Sequence, residues 1–424
     1  MTLSALLHAA TSAAGSDCRS LQLAECPAPF DPRLPAASAM LSWQGDDRVI
    51  GLRNTWRLYP GEVFRTGSFS AAPLQHVAHP PTDIHYHFGG QAHELAAYLA
   101  HQRVGGLLLL KNGRIALEYY GLGNTESTLW TSRSVAKSVV STLVGIAIKE
   151  GRIHALDDPI VQYLPELRRT AWDGVTLRQL ITHTSGIDWH EKYDDPKSDF
   201  SALTQCEAGA DPYPCIMQLV SSRPRRTGTS PGEAWSYNTG GAWLVGRVLE
   251  QATGMSIARY LETRLWSREP MEREGVWQAL VPGRIDMGGH GFNATLRDWG
   301  RFGQFVERGG RLTDGTQLLP DGWIEQATTW VRVPGSVTPG TPDGQYGFQW
   351  WYNPGEAAAE SLDGAPGVPR QSFWAEGIYG QAIAIDPVEH VVMVQWSAWP
   401  AAIPGDGTEE EQATFFAAAV AALR

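Results

Sequence analysis

The chain has 424 residues, a formal charge of −11, and 43% apolar residues that include 17 tryptophans. That length fits two or three domains or a single two-lobed unit, and the apolar content is enough for a large core. The acidic balance, with only Arg223, Arg225 and Arg226 clustered against it, argues against a nucleic-acid partner; no apolar run approaches the about 18 residues of a membrane span, so no membrane partner is expected either.

Met1 to Ala14 is mildly apolar but lacks a positively charged n-region, which argues against a secretory signal. Residues 1–65 are rich in Ala, Pro and polar residues with little periodicity, and are expected to form an irregular arm over the body. The four cysteines form two close pairs, Cys18/Cys26 and Cys206/Cys215. Their spacing permits two local disulfides; without a signal peptide, free thiols and a cytoplasmic location are expected. Neither pair has the spacing of a zinc site. His76, His79, His85, His87 and His93 crowd one Pro-rich stretch, which reads as a surface segment rather than a metal centre.

From Leu107 the pattern changes. Two apolar runs, Gly106–Lys111 and Arg114–Tyr120, flank Asn112-Gly113, a strong hairpin signal. Residues 134–148 are apolar nearly all round a helix, which predicts burial, and Gly151 is placed to end that helix. The middle of the chain mixes helical patterns with Pro/Gly-rich loops. Strands are predicted at Tyr346–Tyr352, Gly380–Ile385 and His390–Trp396, and an amphipathic helix at Glu409–Leu423. Strands near both ends suggest one sheet built from the two ends of the chain, with a helical lobe inserted between them.

Ser134-Val135-Ala136-Lys137 is the only Ser-x-x-Lys in a chain with five lysines. Positions i and i+3 share a helix face, so the amine can reach the hydroxyl. A desolvated lysine becomes a base able to take the serine proton, and the start of a buried helix favours an alkoxide and an oxyanion. Two further segments belong with this pair: Leu180-Ile-Thr-His183-Thr-Ser-Gly186-Ile-Asp188, and Pro231-Gly-Glu-Ala-Trp-Ser-Tyr237-Asn-Thr239. A Gly-x-Ser-x-Gly match at 228–232 precedes a proline in a polar flank and reads as a turn.

In their order and spacing these motifs resemble the serine β-lactamase/penicillin-binding protein superfamily, class C-like, and in particular its 6-aminohexanoate-dimer hydrolases. The resemblance implies an α+β, β-lactamase/transpeptidase-like fold: an antiparallel sheet flanked by helices, with an inserted mainly helical lobe. The expected division is an arm at 1–65 and a catalytic domain at 66–424, with a sheet lobe at 66–133 and 335–424 and a helical lobe at 134–334. It implies Ser134 as nucleophile, with Lys137 and Tyr237 as the base/acid pair. Thr239 stands where the Tyr-x-Asn motif has asparagine. No lysine is present for a Lys-Thr-Gly motif; Gly377-Ile378-Tyr379-Gly380-Gln381 is similar to the Ile-His-Gly-Gln version of the subfamily. This implies Ile378 N–H as second oxyanion donor beside Ser134 N–H, with Tyr379 replacing the histidine. The loop Ile187-Asp-Trp-His-Glu-Lys-Tyr193-Asp-Asp-Pro196 matches the subfamily loop whose second tyrosine meets the scissile amide, which makes Tyr193 a substrate-binding candidate. Trp189, Trp350, Trp351 and Trp374 are candidates to line an apolar cleft.

The expected activity is cofactor- and metal-free hydrolysis of a small-molecule linear amide, such as a 6-aminohexanoate oligomer, or of a short ester. A homodimer is compatible with this reading. The alternatives are a promiscuous carboxylesterase, a D-aminoacyl peptidase of the same fold, and a non-catalytic penicillin-recognising homologue.

Overall fold

The computed structural model describes residues 16–68, 73–329, 346–352 and 371–424. The segment Met1–Ala14 and the lobe boundary expected at 334/335 lie outside the described residues.

The hairpin forms as the sequence predicts. Strands β2 (Val104–Lys111) and β3 (Arg114–Tyr120) pair antiparallel across Asn112 and Gly113, at φ 50° and 76°, the left-handed conformation a two-residue turn needs. Strand β2 also pairs antiparallel with β10 (Val391–Ser397), the last strand of the chain. The sheet then continues through β9 (Gln381–Asp386) and β8 (Phe373–Gly377) to β7 (Trp351–Tyr352), so that both ends of the chain build it. Strand β8 was missed by the sequence reading, and only Trp351–Tyr352 of the expected 346–352 strand is extended; Tyr346 makes an isolated bridge to Trp351.

Alternation along β2 explains the layers. Leu107 and Leu109 join the cluster with Phe415 and Phe416 of the closing helix α7 (Thr408–Ala422). Leu108 and Leu110 face the larger core, shared with α2 (Val135–Lys149) and α6 (Leu296–Glu307). Residues 135–147 of α2 are all buried, as its apolar circumference predicts, and Gly151 at φ 69° follows its end. Each fully buried Val, Leu or Ile contributes about 1.5–3 kcal/mol.

Two expectations are corrected. The stretch 1–65 is not irregular throughout: it contains helix α1 (Gly45–Arg53) and strand β1 (Gly61–Phe64). Strand β1 pairs with β5 (Gly275–Val281) in a second sheet, which continues through β6 (Phe292–Ala294) to β4 (Trp130–Thr131), so the mainly helical inserted segment also contributes strands. The cysteines are not free either: Cys18–Cys26 and Cys206–Cys215 are disulfides. The cytoplasmic expectation, made together with that of free thiols, gains no support from the cysteines. Among the described residues no helix is long and apolar enough to cross a membrane.

Candidate active site

Ser134 is the N-cap of α2. An N-cap serine usually turns its hydroxyl onto the helix N–H groups. Ser134 makes no such cap and is itself in helical conformation, at φ −69° and ψ −8°. Its Oγ is therefore available to Lys137 Nζ, 2.8 Å away, one turn along the helix. Lys137 is 1% exposed, and burial lowers its pKa to about 7, against the opposing pull of Glu191 and Glu207.

A second oxygen holds the same amine: Lys137 Nζ donates to Gly289 O over 2.8 Å. Glycines make this contact sterically feasible. A Cβ on Gly288 would come 2.9 Å from the Gly246 Cα of helix α5 (Thr239–Thr253), and one on Gly289 would come 2.8 Å from Thr239 Cγ2. The next residue, His290, is buried with Nε2 2.9 Å from Glu207 Oε1. Neither Gly289 nor this pair was found from the sequence; the Gly-Gly pair just before a strand was the available signal.

Tyr237 closes the third side. It is 7% exposed, and Ser134 lies close enough to act on its phenol. Burial first, then the charges of Glu191 and Glu376, keep the phenol protonated well above neutral pH, against the opposing influence of Ser134. Asn238, the next residue, accepts from Gly241 N over 2.6 Å and caps α5, so it is structural. His183 carries its ring 4.6 Å from that of Tyr237, while its carbonyl accepts from Ser236 N (2.9 Å). Burial, then Lys137, keep His183 neutral. Trp351 stacks on Tyr237 at 5.9 Å, and Tyr346 and Trp235 complete an aromatic wall.

The end of β8 lies against the serine backbone. A Cβ on Gly377 would meet Ser132 O at 2.5 Å and Ser134 N at 2.9 Å. Ile378 follows directly. Among the described residues no hydrogen bond engages the N–H of Ser134 or of Ile378. Gln381 braces the turn by donating to Tyr379 O (3.1 Å) and Ser397 O (2.8 Å) while accepting from Trp130 Nε1 (2.7 Å).

The remaining candidates divide. Tyr193 is half-buried, and burial first, then the Glu191 charge, pushes its hydroxyl up; its Oη reaches Glu191 Oε1 only at 3.4 Å. Thr239 does not face the serine: its N–H (2.9 Å) and Oγ1 (2.5 Å) both donate to Glu191. Glu191, also bound by Trp189 Nε1, thus ties the 187–196 loop to the start of α5; it was quoted in the loop motif but given no role. Tyr379 does not enter the site. Its φ of 68° turns the ring toward the N-terminal segment, where Oη donates to Met40 O (3.3 Å). Of the four tryptophans, Trp351 joins the site, Trp189 supports Glu191, Trp350 packs on Phe373, and Trp374 packs on Phe416. Ser230 sits in a turn closed by Ser230 N to Glu233 Oε2 (2.7 Å). On the surface, Asp83, His85 and Glu94 bring donors within 4.8 Å of one another, with Asp83 Oδ1 already accepting from Ile84 N and Leu95 N.

The arrangement can hold a hydroxyl between a low-pKa amine and a protonated phenol, beside two backbone N–H groups. Comparison with known proteins gives it a context. A family model described as beta-lactamase matches residues 92–415. The chain is 30% identical over 308 residues to a 6-aminohexanoate-dimer hydrolase of Paenarthrobacter ureafaciens, covering 69% of this chain and 72% of that protein. It is 30% identical over 167 residues to the esterase EstB of Burkholderia gladioli, covering 37% and 40%. A solved structure from Bacillus anthracis, provisionally described as a 6-aminohexanoate-dimer hydrolase, superposes with a TM-score of 0.75 over 93% of this chain and 97% of that one at 22% identity, a likeness of fold.

Proposed function

The chain belongs to the beta-lactamase family, and from that premise we propose that it is a serine hydrolase cleaving linear amides or short esters through an acyl-enzyme on Ser134. The observation that carries this reading is the 2.8 Å line from Lys137 Nζ to Ser134 Oγ, with the amine's pKa lowered to about 7. The neutral amine takes the Ser134 proton as Oγ attacks the carbonyl carbon. The N–H groups of Ser134 and Ile378 receive the oxyanion. Tyr237, still a phenol at neutral pH, passes a proton to the leaving amine or alkoxide, and water then releases the acyl group.

Tyr193 favours amide cleavage in this scheme, because its weakly held hydroxyl can turn to the scissile nitrogen. The name of the Paenarthrobacter relative supports a 6-aminohexanoate oligomer as the substrate type. A peptidase that clamps a substrate carboxylate is less well supported: Ala375-Glu376-Gly377 ends β8 with no lysine, and the Glu376 charge acts on Tyr237 and Tyr346. A non-catalytic homologue has no physical need for the desolvated Lys137.

The test is release of 6-aminohexanoate from its linear dimer, with p-nitrophenyl acetate alongside and Ser134→Ala as control. Amide turnover that the substitution abolishes supports the full reading. Ester turnover alone makes the protein a carboxylesterase, and Tyr193 then has no catalytic task.

A further inference from the structure

The two N–H groups of the oxyanion hole are flanked by strained residues. Ser134 N–H lies in the peptide plane that follows Arg133, at φ 47°, and Ile378 N–H lies in the turn that Tyr379 closes, at φ 68°. Non-glycine residues rarely adopt this region, and they persist there only where the surroundings over-determine them. The side chains of Arg133 and Tyr379 are both buried against one short N-terminal segment. The Tyr379 hydroxyl donates to Met40 O (3.3 Å), and the Arg48 guanidinium covers its ring at 4.8 Å. Arg48 is itself fixed by donating to Trp399 O (2.6 Å) and to Trp43 O. The Arg133 guanidinium lies 5.8 Å over the Trp43 ring. Trp43 is anchored by its indole N–H on Ala36 O (3.0 Å), and its ring lies where a Cβ on Gly51 would come within 2.3 Å.

We infer that the segment Met40–Arg48 is a positioning clamp for the oxyanion hole, holding Arg133 and Tyr379 in their left-handed conformations so that the N–H groups of Ser134 and Ile378 converge. This segment precedes residue 92, where the family match begins, so the clamp lies outside the matched range. It acts through paired cation–π contacts, Arg48 on Tyr379 and Trp43 under Arg133, which interlock the two sides of the hole. The inference rests on the serine-hydrolase reading above.

The experiment uses the full chain and compares Trp43→Leu, Arg48→Met and Trp43→Phe with the unsubstituted protein. Two readouts are taken, p-nitrophenyl acetate kinetics and the affinity of phenylboronic acid, whose tetrahedral adduct on Ser134 puts an oxygen in the hole. Rates are normalised to titrated active sites. Trp43→Leu and Arg48→Met are expected to lower kcat about tenfold to a hundredfold with KM within about twofold, and to weaken the boronate by a similar factor. Trp43→Phe, which keeps a ring beneath Arg133, is expected to restore most of the rate. Unchanged kcat and boronate affinity would overturn the clamp, and so would a rise in KM alone, which would make the segment merely a pocket wall. Should the larger substitutions not fold, Tyr379→Phe removes only the bond to Met40 O; it is expected to cost about threefold or more in both readouts, and no change there would overturn the clamp. If the unsubstituted protein shows no Ser134-dependent turnover, the serine-hydrolase reading fails instead.

Discussion

Lys137 donates to the carbonyl oxygen of Gly289 over 2.8 Å, while the same Nζ lies 2.8 Å from Ser134 Oγ. The carbonyl fixes the direction of the amine, and burial moves its pKa to about 7. A base of that kind works only when deprotonated. The proposed reaction should therefore lose kcat/KM about tenfold per pH unit below about 7 and level off above it. The plateau should extend well into alkaline pH, because burial keeps Tyr237 protonated there. A pH–rate profile of ester hydrolysis checks this; an activity still rising between pH 8 and about 10 would show that Lys137 keeps an ordinary amine pKa.

Glu191 tunes that profile. Its charge is the largest influence opposing the depression of the Lys137 pKa. Glu191→Gln removes the charge, so the Lys137 pKa should fall and the limb of the profile should move to lower pH. An unmoved limb would show that Glu191 carries its proton in the working enzyme, in line with the upward push of its own burial.

Gly377→Ala tests the approach of β8 to the serine. The added methyl meets two backbone atoms, Ser132 O and Ser134 N, neither of which can swing away. Overpacking of this kind costs about 1–3 kcal/mol, and the displacement of Ile378 should lower kcat about a hundredfold. Denaturant melts and ester kinetics read the two effects separately. Wild-type kcat in this variant would remove Ile378 from the oxyanion hole.

The legible part of the site was local. Ser134 and Lys137 are one helical turn apart, so their contact follows from spacing alone, and Tyr237 was carried by a motif of adjacent residues. What was not legible was made by distant backbone. The Gly289 carbonyl has no side-chain signature, and its role depends on how closely the 287–291 loop packs on α5. Tyr379 was assigned to the substrate side because the motif gives its place in the chain; its positive φ sends the ring the other way. Helix α1 escaped notice because Gly45 and Gly51 depress its propensity, and because the burial of Arg48 and Arg53 is satisfied by partners far along the chain, at Trp399 and Asn124. The second sheet was missed because β1 and β5 are separated by most of the inserted segment.

The disulfides give a test independent of catalysis. Each closes a short loop, with sequence separations of 8 and 9, for which chain entropy gives about 2–3 kcal/mol per bridge. Reductant should lower the unfolding midpoint of the purified protein, and unreduced protein should show no alkylatable thiol after denaturation. Four alkylated cysteines without reductant would contradict both bridges.

The most direct measurement is the intact mass of the protein quenched during turnover of p-nitrophenyl acetate, followed by mapping of the modified peptide. The account predicts one acetyl group on the peptide carrying Ser134, absent in Ser134→Ala, which should also lose turnover. Turnover that survives this substitution, or an acetyl group mapped to another residue, would contradict the proposed mechanism.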